Sequence, residues 1–337
     1  MTRILRDYPT EAKLLAVLAI LVAGLGLASP EFLSLRNLSS LLNNSAVNVI
    51  WAVGLLVVLI AGGIDISFAV AASVVQYLLV LALEPLGGGG WALGFALAVL
   101  FGVALGWVNA ALIHGFGIIS IVVTIATFNA FFGLLMWLSA GRGIYSLPSW
   151  WTARTLIWER ETPSGWAELT VVVAVMLGCM VATWVLIRRT TLGRQLYAFG
   201  DNPEGARRLG IRPGVMWFAA FGWMGAMAGI AGLMQVNVAR EVVPNALYGR
   251  ELDVLAAVVL GGARLGGGRG SVIGCFLGVM LVAIAENGLN LLSGTPLGQA
   301  LGVTPYAFNM VVGAIILVAI STSNWELVRA RPRGRNA

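Results

Sequence analysis

Unbroken apolar stretches of 18 residues or more recur along this chain, each long enough to cross a bilayer as a helix. No Asp, Glu, Lys or Arg occurs from Asn37 to Ile64, nor from Ile66 to Leu83, and a single carboxylate, Asp65, stands between the two runs. Only 11% of the 337 residues are charged, against about a quarter in soluble domains. The expected fold is therefore an all-α polytopic membrane protein.

The apolar runs place spans at roughly 14–30, 43–61, 66–83, 91–113, 117–140, 169–187, 214–237, 252–262, 271–292 and 303–320. The run 252–262, LDVLAAVVLGG, is too short to cross as an ordinary helix and reads as half of a broken one. Orientation follows the bias of arginine between loops. Segment 188–213 holds Arg188, Arg189, Arg194, Arg207, Arg208 and Arg212 against Asp201 and Glu204, and the tail holds Arg329, Arg331, Arg333 and Arg335 against Glu326. Segment 141–168 is balanced in charge and carries Trp150, Trp151, Trp158 and Trp166, which suit a membrane–water interface. These patterns put 188–213 and both termini in the cytoplasm and 141–168 outside, with about ten spans, some short or broken. The whole chain, 1–337, reads as one transmembrane domain: a membrane core over 14–320, a cytoplasmic loop over 188–213 and a basic tail over 321–337. The start is expected to be a cytoplasmic tail, not a cleaved leader. The net charge of +6 reflects topology, and no nucleic-acid partner is expected.

What the sequence lacks is equally informative. Lys13 is the only lysine and no GxxxxGK[ST] loop occurs, so this chain does not hydrolyse ATP through a P-loop. His114 is the only histidine, which excludes a His-ligated metal cluster. Cys179 and Cys275 fall inside apolar spans and read as small buried hydrophobes. An ion-coupled transporter would have to use Asp65, Asp253 or Glu286. A membrane enzyme would need a reactive cluster that the chain does not show.

The segment GDNPEGARRLGI (200–211) carries a full set of local helix signals. Asn202 suits the N-cap, Pro203 the first position and Glu204 the positive helix end. Ala206 continues it, Arg207 and Arg208 suit the last turn, and Gly210 lies just past the end. A helix of about two turns is marginal alone in water, so something must hold it: it reads either as a surface helix lying on the membrane face or, the favoured reading, as a plug that docks into a partner.

The stretches GGIDIS (62–67), GRQLYAFGDNPEGARRLGI (193–211), GRELDVLAAVVLGGARLGGGRGSVIG (249–274) and ENGLNLL (286–292) resemble the permease subunits of bacterial ABC importers for ribose, xylose, galactose and related sugars. The order matches over about 30–320. The resemblance implies two permease subunits, identical or different, paired in the lipid of the inner membrane. It also implies a cytoplasmic ATPase that holds the ATP and magnesium, so that this chain binds no cofactor and is not itself an enzyme, and a periplasmic sugar-binding protein. It makes 200–211 the coupling element that sits in a groove of the ATPase. Phe68, Ala69, Gly205, Arg264 and Glu286 depart from the usual family residues, and the GGIDISF form is similar to members that move rhamnose or autoinducer-2. Permeases for nucleosides or branched-chain amino acids are the nearest alternatives.

Gly62 and Gly63 end one span, and Asp65 is expected to cap the next, accepting from amides near Ser67 and Phe68. A broken helix at this depth would line the path or transmit motion from the ATPase side. The stretch 258–271, with Gly261, Gly262, Gly267 and Gly268, echoes 58–67 and hints at two related halves. Asn48, Gln76, Asn109, Thr124, Asn129, Asn287, Asn290 and Asn309 are intramembrane amides and hydroxyls that could line a sugar path, although for any one of them an interhelical hydrogen bond is the commoner role. Asn287 and Asn290 share a helix face and adjoin Glu286. Phe128 and Phe132 could narrow the path.

Overall fold

The computed structural model describes residues 9–295 together with 310 and 313. Among the described residues, eight helices are long and apolar enough to span a membrane. They are α1 (Pro9–Ala28), α2 (Leu35–Ile60), α3 (Phe68–Leu83), α4 (Trp91–Phe116), α5 (Ser120–Ser139), α7 (Val171–Arg189), α10 (Pro213–Ala239) and α12 (Val272–Ser293). Between them lie a single turn, α6 (Ser149–Thr152), and three short helices: α8 (Thr191–Asp201), α9 (Pro203–Arg208) and α11 (Arg250–Leu260). The expected span at 303–320 and the tail at 321–337 lie outside the described residues. Helix α11 has 11 residues, about 16 Å, roughly half the hydrocarbon thickness, as its short apolar run implied.

The chain is not wholly α-helical. Residues Leu156–Thr162 (β1) and Gly165–Thr170 (β2) form an antiparallel hairpin, with Thr162 paired to Gly165 across a two-residue turn. Trp158, Thr162 and Thr170 favour a strand, and Pro163-Ser164-Gly165 supplies the turn, with φ +111° at Gly165. Helix α7 accordingly begins at Val171, two residues later than its apolar run suggests. The hairpin is fastened to the first half of α2. Arg36 donates to the Ser164 carbonyl, Asn43 donates to the Glu168 carbonyl and accepts from Thr170, and Ser39 accepts from the Glu168 amide.

Helix α2 is the core of the bundle. It begins at a Ser34 cap that accepts from Asn37, and Val49 to Ile60 are buried without a break. A helix apolar on every face is stable only when surrounded, and α10, α7, α12 and α11 surround this one. At about 39 Å it runs from the hairpin at one end to α8 at the other. The largest helix contact is between α4 and α10, where glycines meet backbone to backbone. Cys179 and Cys275 are buried and unpaired.

Candidate functional site

The two glycine-pair turns fold alike. After α2, Gly62 adopts φ +84°, its amide donates to the Leu59 carbonyl and that of Gly63 to Val58. After α11, Gly262 adopts φ +91°, its amide donates to the Val259 carbonyl and that of Ala263 to Val258. Both are Schellman ends, in which a left-handed residue lets two amides turn back onto the last helical turn. The echo seen in the sequence is thus a repeated turn geometry.

Beyond Gly63, four residues outside any helix, 64–67, lead into α3, and the backbone of the first is satisfied from α5. The Ile64 amide donates to Ser120 Oγ at 2.9 Å, and Thr124 Oγ1 donates back to the Ile64 carbonyl at 3.3 Å. Asp65 is not the cap of α3; Ser67 holds that position, without a side-chain cap bond. Asp65 accepts instead from both the amide and the hydroxyl of Ser67, each at 2.7 Å, and makes no bond to Phe68. The Ser67 hydroxyl accepts from Asn109 on α4, whose carbonyl oxygen accepts from Thr127 on α5. All four side chains are buried. The lone carboxylate therefore anchors a polar chain that ties the break to two neighbouring helices, and Asn109 and Thr124 belong to that tie.

Helix α9 forms as its residues predict. Asn202 accepts from the Gly205 amide, Pro203 opens the helix, Glu204 lies in the first turn, Arg207 and Arg208 in the last, and Gly210 takes φ +84°. Ala206 is its buried member, while Glu204, Arg207, Arg208 and Leu209 face outward, Leu209 being 81% exposed. The sequence reading missed α8, which precedes it. Thr190 caps α8 by accepting from Gly193.

Helix α8 brings the parts together. A Cβ at Gly200 would stand 1.8 Å from the Ile60 carbonyl oxygen and 2.8 Å from the Gly268 amide. That amide donates to the same Ile60 oxygen at 2.9 Å. Gly62 lies against Gly200 and Gly267. A Cβ at Gly267, where φ is +85°, would meet the Gly200 carbonyl at 2.5 Å. Tyr197 on α8 donates its hydroxyl to the Gly270 carbonyl at 2.7 Å, and Phe199 packs edge-on against Trp217 of α10. Three backbones, from the end of α2, the end of α8 and the loop before α12, thus meet where no side chain fits. The tie at Gly200 spans residues far apart in sequence, and its only local signal is the glycine itself.

The expected path residues separate. Asn287 and Asn37 exchange two amide hydrogen bonds at 3.0 Å, which commits Asn287 to joining α12 to α2. Gln76 is buried and donates to the Gly232 carbonyl. Asn129, Glu286 and Asn290 are exposed. Replacing Asn287 alone by Leu leaves the Asn37 side chain with the Phe32 carbonyl as its remaining partner and its carbonyl oxygen without a donor, and should cost about 1–2 kcal/mol, seen as a lower melting temperature in detergent. Replacing Asn37 and Asn287 together by Leu should recover most of that loss; a double variant no better than the single would disprove the pairing.

Among the described residues, no group of three or more His, Cys, Asp or Glu side chains is placed to hold a metal ion. The family model for the permease component of branched-chain amino acid transport systems matches residues 37–320. The ribose import permease protein RbsC of Escherichia coli K12 is 30% identical, over 93% of this chain and 94% of its own. The autoinducer 2 import system permease protein LsrC of Yersinia enterocolitica is 32% identical over 83% of this chain and 75% of its own. That of Photorhabdus luminescens is 28% identical over 95% and 91%. No solved structure matches the chain significantly.

Proposed function

The chain belongs to the family of permease components of branched-chain amino acid transport systems, and from that premise we propose that it is the membrane subunit of an ATP-binding-cassette importer for a monosaccharide or a similar furanosyl solute. It is a multi-pass protein of the inner membrane. The observation that carries the substrate class is the near full-length match to a ribose import permease, with autoinducer 2 permeases beside it. The amino-acid alternative shares the family but lacks that support among these relatives.

In this reading ATP is hydrolysed on a separate subunit, since the chain has no P-loop lysine. Helix α9 is the coupling element. Its outward Glu204, Arg207, Arg208 and Leu209 offer charge and an apolar knob to a groove of the ATPase. Segment 188–213 and both termini face the cytoplasm, and the hairpin faces the binding protein that delivers the solute. A second permease subunit completes the pathway, and this chain needs no cofactor of its own. Movement of α9 reaches the bundle through α8 and the Gly200 contact, which bears on both glycine turns.

Purification in mild detergent followed by identification of co-purifying subunits tests the assembly: an ATPase supports the reading, whereas a lone chain that takes up solute on an ion gradient overturns it. Within the assembled importer, simultaneous Glu204→Ala, Arg207→Ala and Arg208→Ala should leave membrane insertion intact and lower ATP-driven uptake by about tenfold or more, the scale of two or three surface contacts at a docking site. Uptake at the level of the parent would remove α9 from the coupling role.

A further inference from the structure

Charged side chains at membrane depth are rare in this chain, and three of them lie on two helices, α11 and α12, that pack against each other. Arg250 and Asp253 lie on α11 and Glu286 on α12, with Arg250 within electrostatic reach of both carboxylates. All three are exposed on the protomer, as is Asn290, one turn beyond Glu286. Glu286 stands seven residues before the end of α12 at Ser293, about 10 Å along the helix. Charges at such depth face water or protein, since exposure to lipid is costly.

An aromatic platform adjoins them. Tyr248, two residues before Arg250, is 53% exposed and lies 5.2 Å from the Phe128 ring and 4.8 Å from the Phe132 ring, tilted by 52° and 50°. Phe128 and Phe132 are one turn apart on α5, and the exposed Asn129 follows Phe128. The chain reverses between Tyr248 and Arg250 at Gly249, with φ +91°, whose amide donates to Glu251. Tyr248 and Arg250 therefore flank one turn, two residues apart at the start of α11.

The combination matches one chemical class. A sugar presents an apolar face of C–H groups, which suits an aromatic ring, and a rim of hydroxyls. Carboxylates accept from vicinal hydroxyls and a guanidinium donates to their oxygens. An apolar solute would gain nothing from the charges. We propose that Tyr248, Arg250, Asp253 and Glu286, backed by Phe128 and Phe132, form a water-facing station that receives a sugar on its way through the permease. The inference rests on the sugar-import reading and deepens it by naming side chains that meet the substrate.

Cysteine labelling tests accessibility without depending on transport. Asp253→Cys and Glu286→Cys are introduced separately into the full chain; native Cys179 and Cys275 are buried and stay silent. Leu100→Cys on α4, where the native side chain is 60% exposed, serves as the lipid-facing control. A membrane-impermeant methanethiosulfonate should label positions 253 and 286 about tenfold faster than position 100, as for water-facing against lipid-facing sites. No labelling at 253 and 286 overturns the station. In liposomes containing the whole importer, a panel of D-ribose, D-xylose, D-galactose and L-rhamnose is compared with L-leucine. For the sugar that is carried, Asp253→Asn and Glu286→Gln should raise KM about tenfold or more, the scale of one lost hydrogen bond to a charged group, with kcat held nearer the parent. Unchanged KM with ordinary sugar uptake overturns the station alone. Uptake of L-leucine and of no sugar, with normal labelling, overturns the sugar-import reading and the sugar role of the station with it.

Discussion

Gly200→Ala should leave the protein in the membrane and sever ATP hydrolysis from transport. The added Cβ would stand 1.8 Å from the Ile60 carbonyl oxygen, a distance no relaxation of a side chain can relieve, because both partners are backbone. The end of α8 must therefore lift away from the end of α2. As it does so it opens the bond from the Gly268 amide to Ile60 and withdraws support from the Gly267 turn. A buried backbone group left without its partner costs about 1–3 kcal/mol, and the junction holds several such groups in one contact. The loss is local, since the spans themselves pack elsewhere. Uptake by the importer in liposomes should fall at least tenfold, about 1.4 kcal/mol, while ATP hydrolysis persists. Gly133→Ala on α5 is the matched control, since nothing lies within 4 Å of the Cβ it adds, and it should behave as the parent. Parent-like coupled uptake in Gly200→Ala would show that force does not pass through this contact.

The sequence made the spans and α9 readable because each is written in neighbouring residues. Long uncharged runs can only be buried or in lipid, and Asn202, Pro203, Glu204 and Gly210 each answer a local backbone need. The Schellman turns were readable as glycine pairs for the same reason. Asp65 was half legible. Its bond to the Ser67 amide is local, but the continuation to Asn109 and Thr127 crosses to two other helices, and nothing near residue 65 encodes it. Asn287 was half legible for the same cause: an interhelical hydrogen bond was the commoner role expected of such an amide, but its partner, Asn37, lies 250 positions away and nothing near residue 287 names it. The hairpin had a signal, strand-forming residues around Pro163-Ser164-Gly165, which the neighbouring apolar spans overshadowed. The Gly200 junction had no signal beyond the glycine itself, because its chemistry is the absence of a side chain at a place where three distant backbones meet.

Gly225→Val should prevent the chain from reaching its folded state in the membrane. Helices in lipid gain no hydrophobic drive from meeting each other, so their association depends on close packing and on contacts made by small residues. In the α4–α10 seam a Cβ at Gly225 would lie 2.1 Å from the Gly102 carbonyl oxygen, and one at Gly102 would lie 2.0 Å from that of Gly225. The same holds one turn to either side, with Gly106 against the Phe221 carbonyl at 2.1 Å and Gly229 against that of Ala98 at 2.0 Å. Because the contact is backbone on backbone, a valine cannot be absorbed by a rotamer change, and the helices must separate along several turns. Overpacking a tight interior costs 1–3 kcal/mol and sometimes more, and a rigid seam of this length should put the cost at about 3 kcal/mol or above. Against a total stability of about 5–15 kcal/mol, that is enough to empty much of the native state. Detergent extracts should show aggregate in place of the monodisperse peak of the parent, while Gly178→Val on α7, with open space around its added Cβ, should run as the parent does. A monodisperse Gly225→Val protein of parental melting temperature would mean that the seam is looser than its contacts require. The damage would also reach the coupling junction, because Phe221 offers its carbonyl to α4 and its ring to Gly63, so α10 is the wall against which the first glycine turn is built.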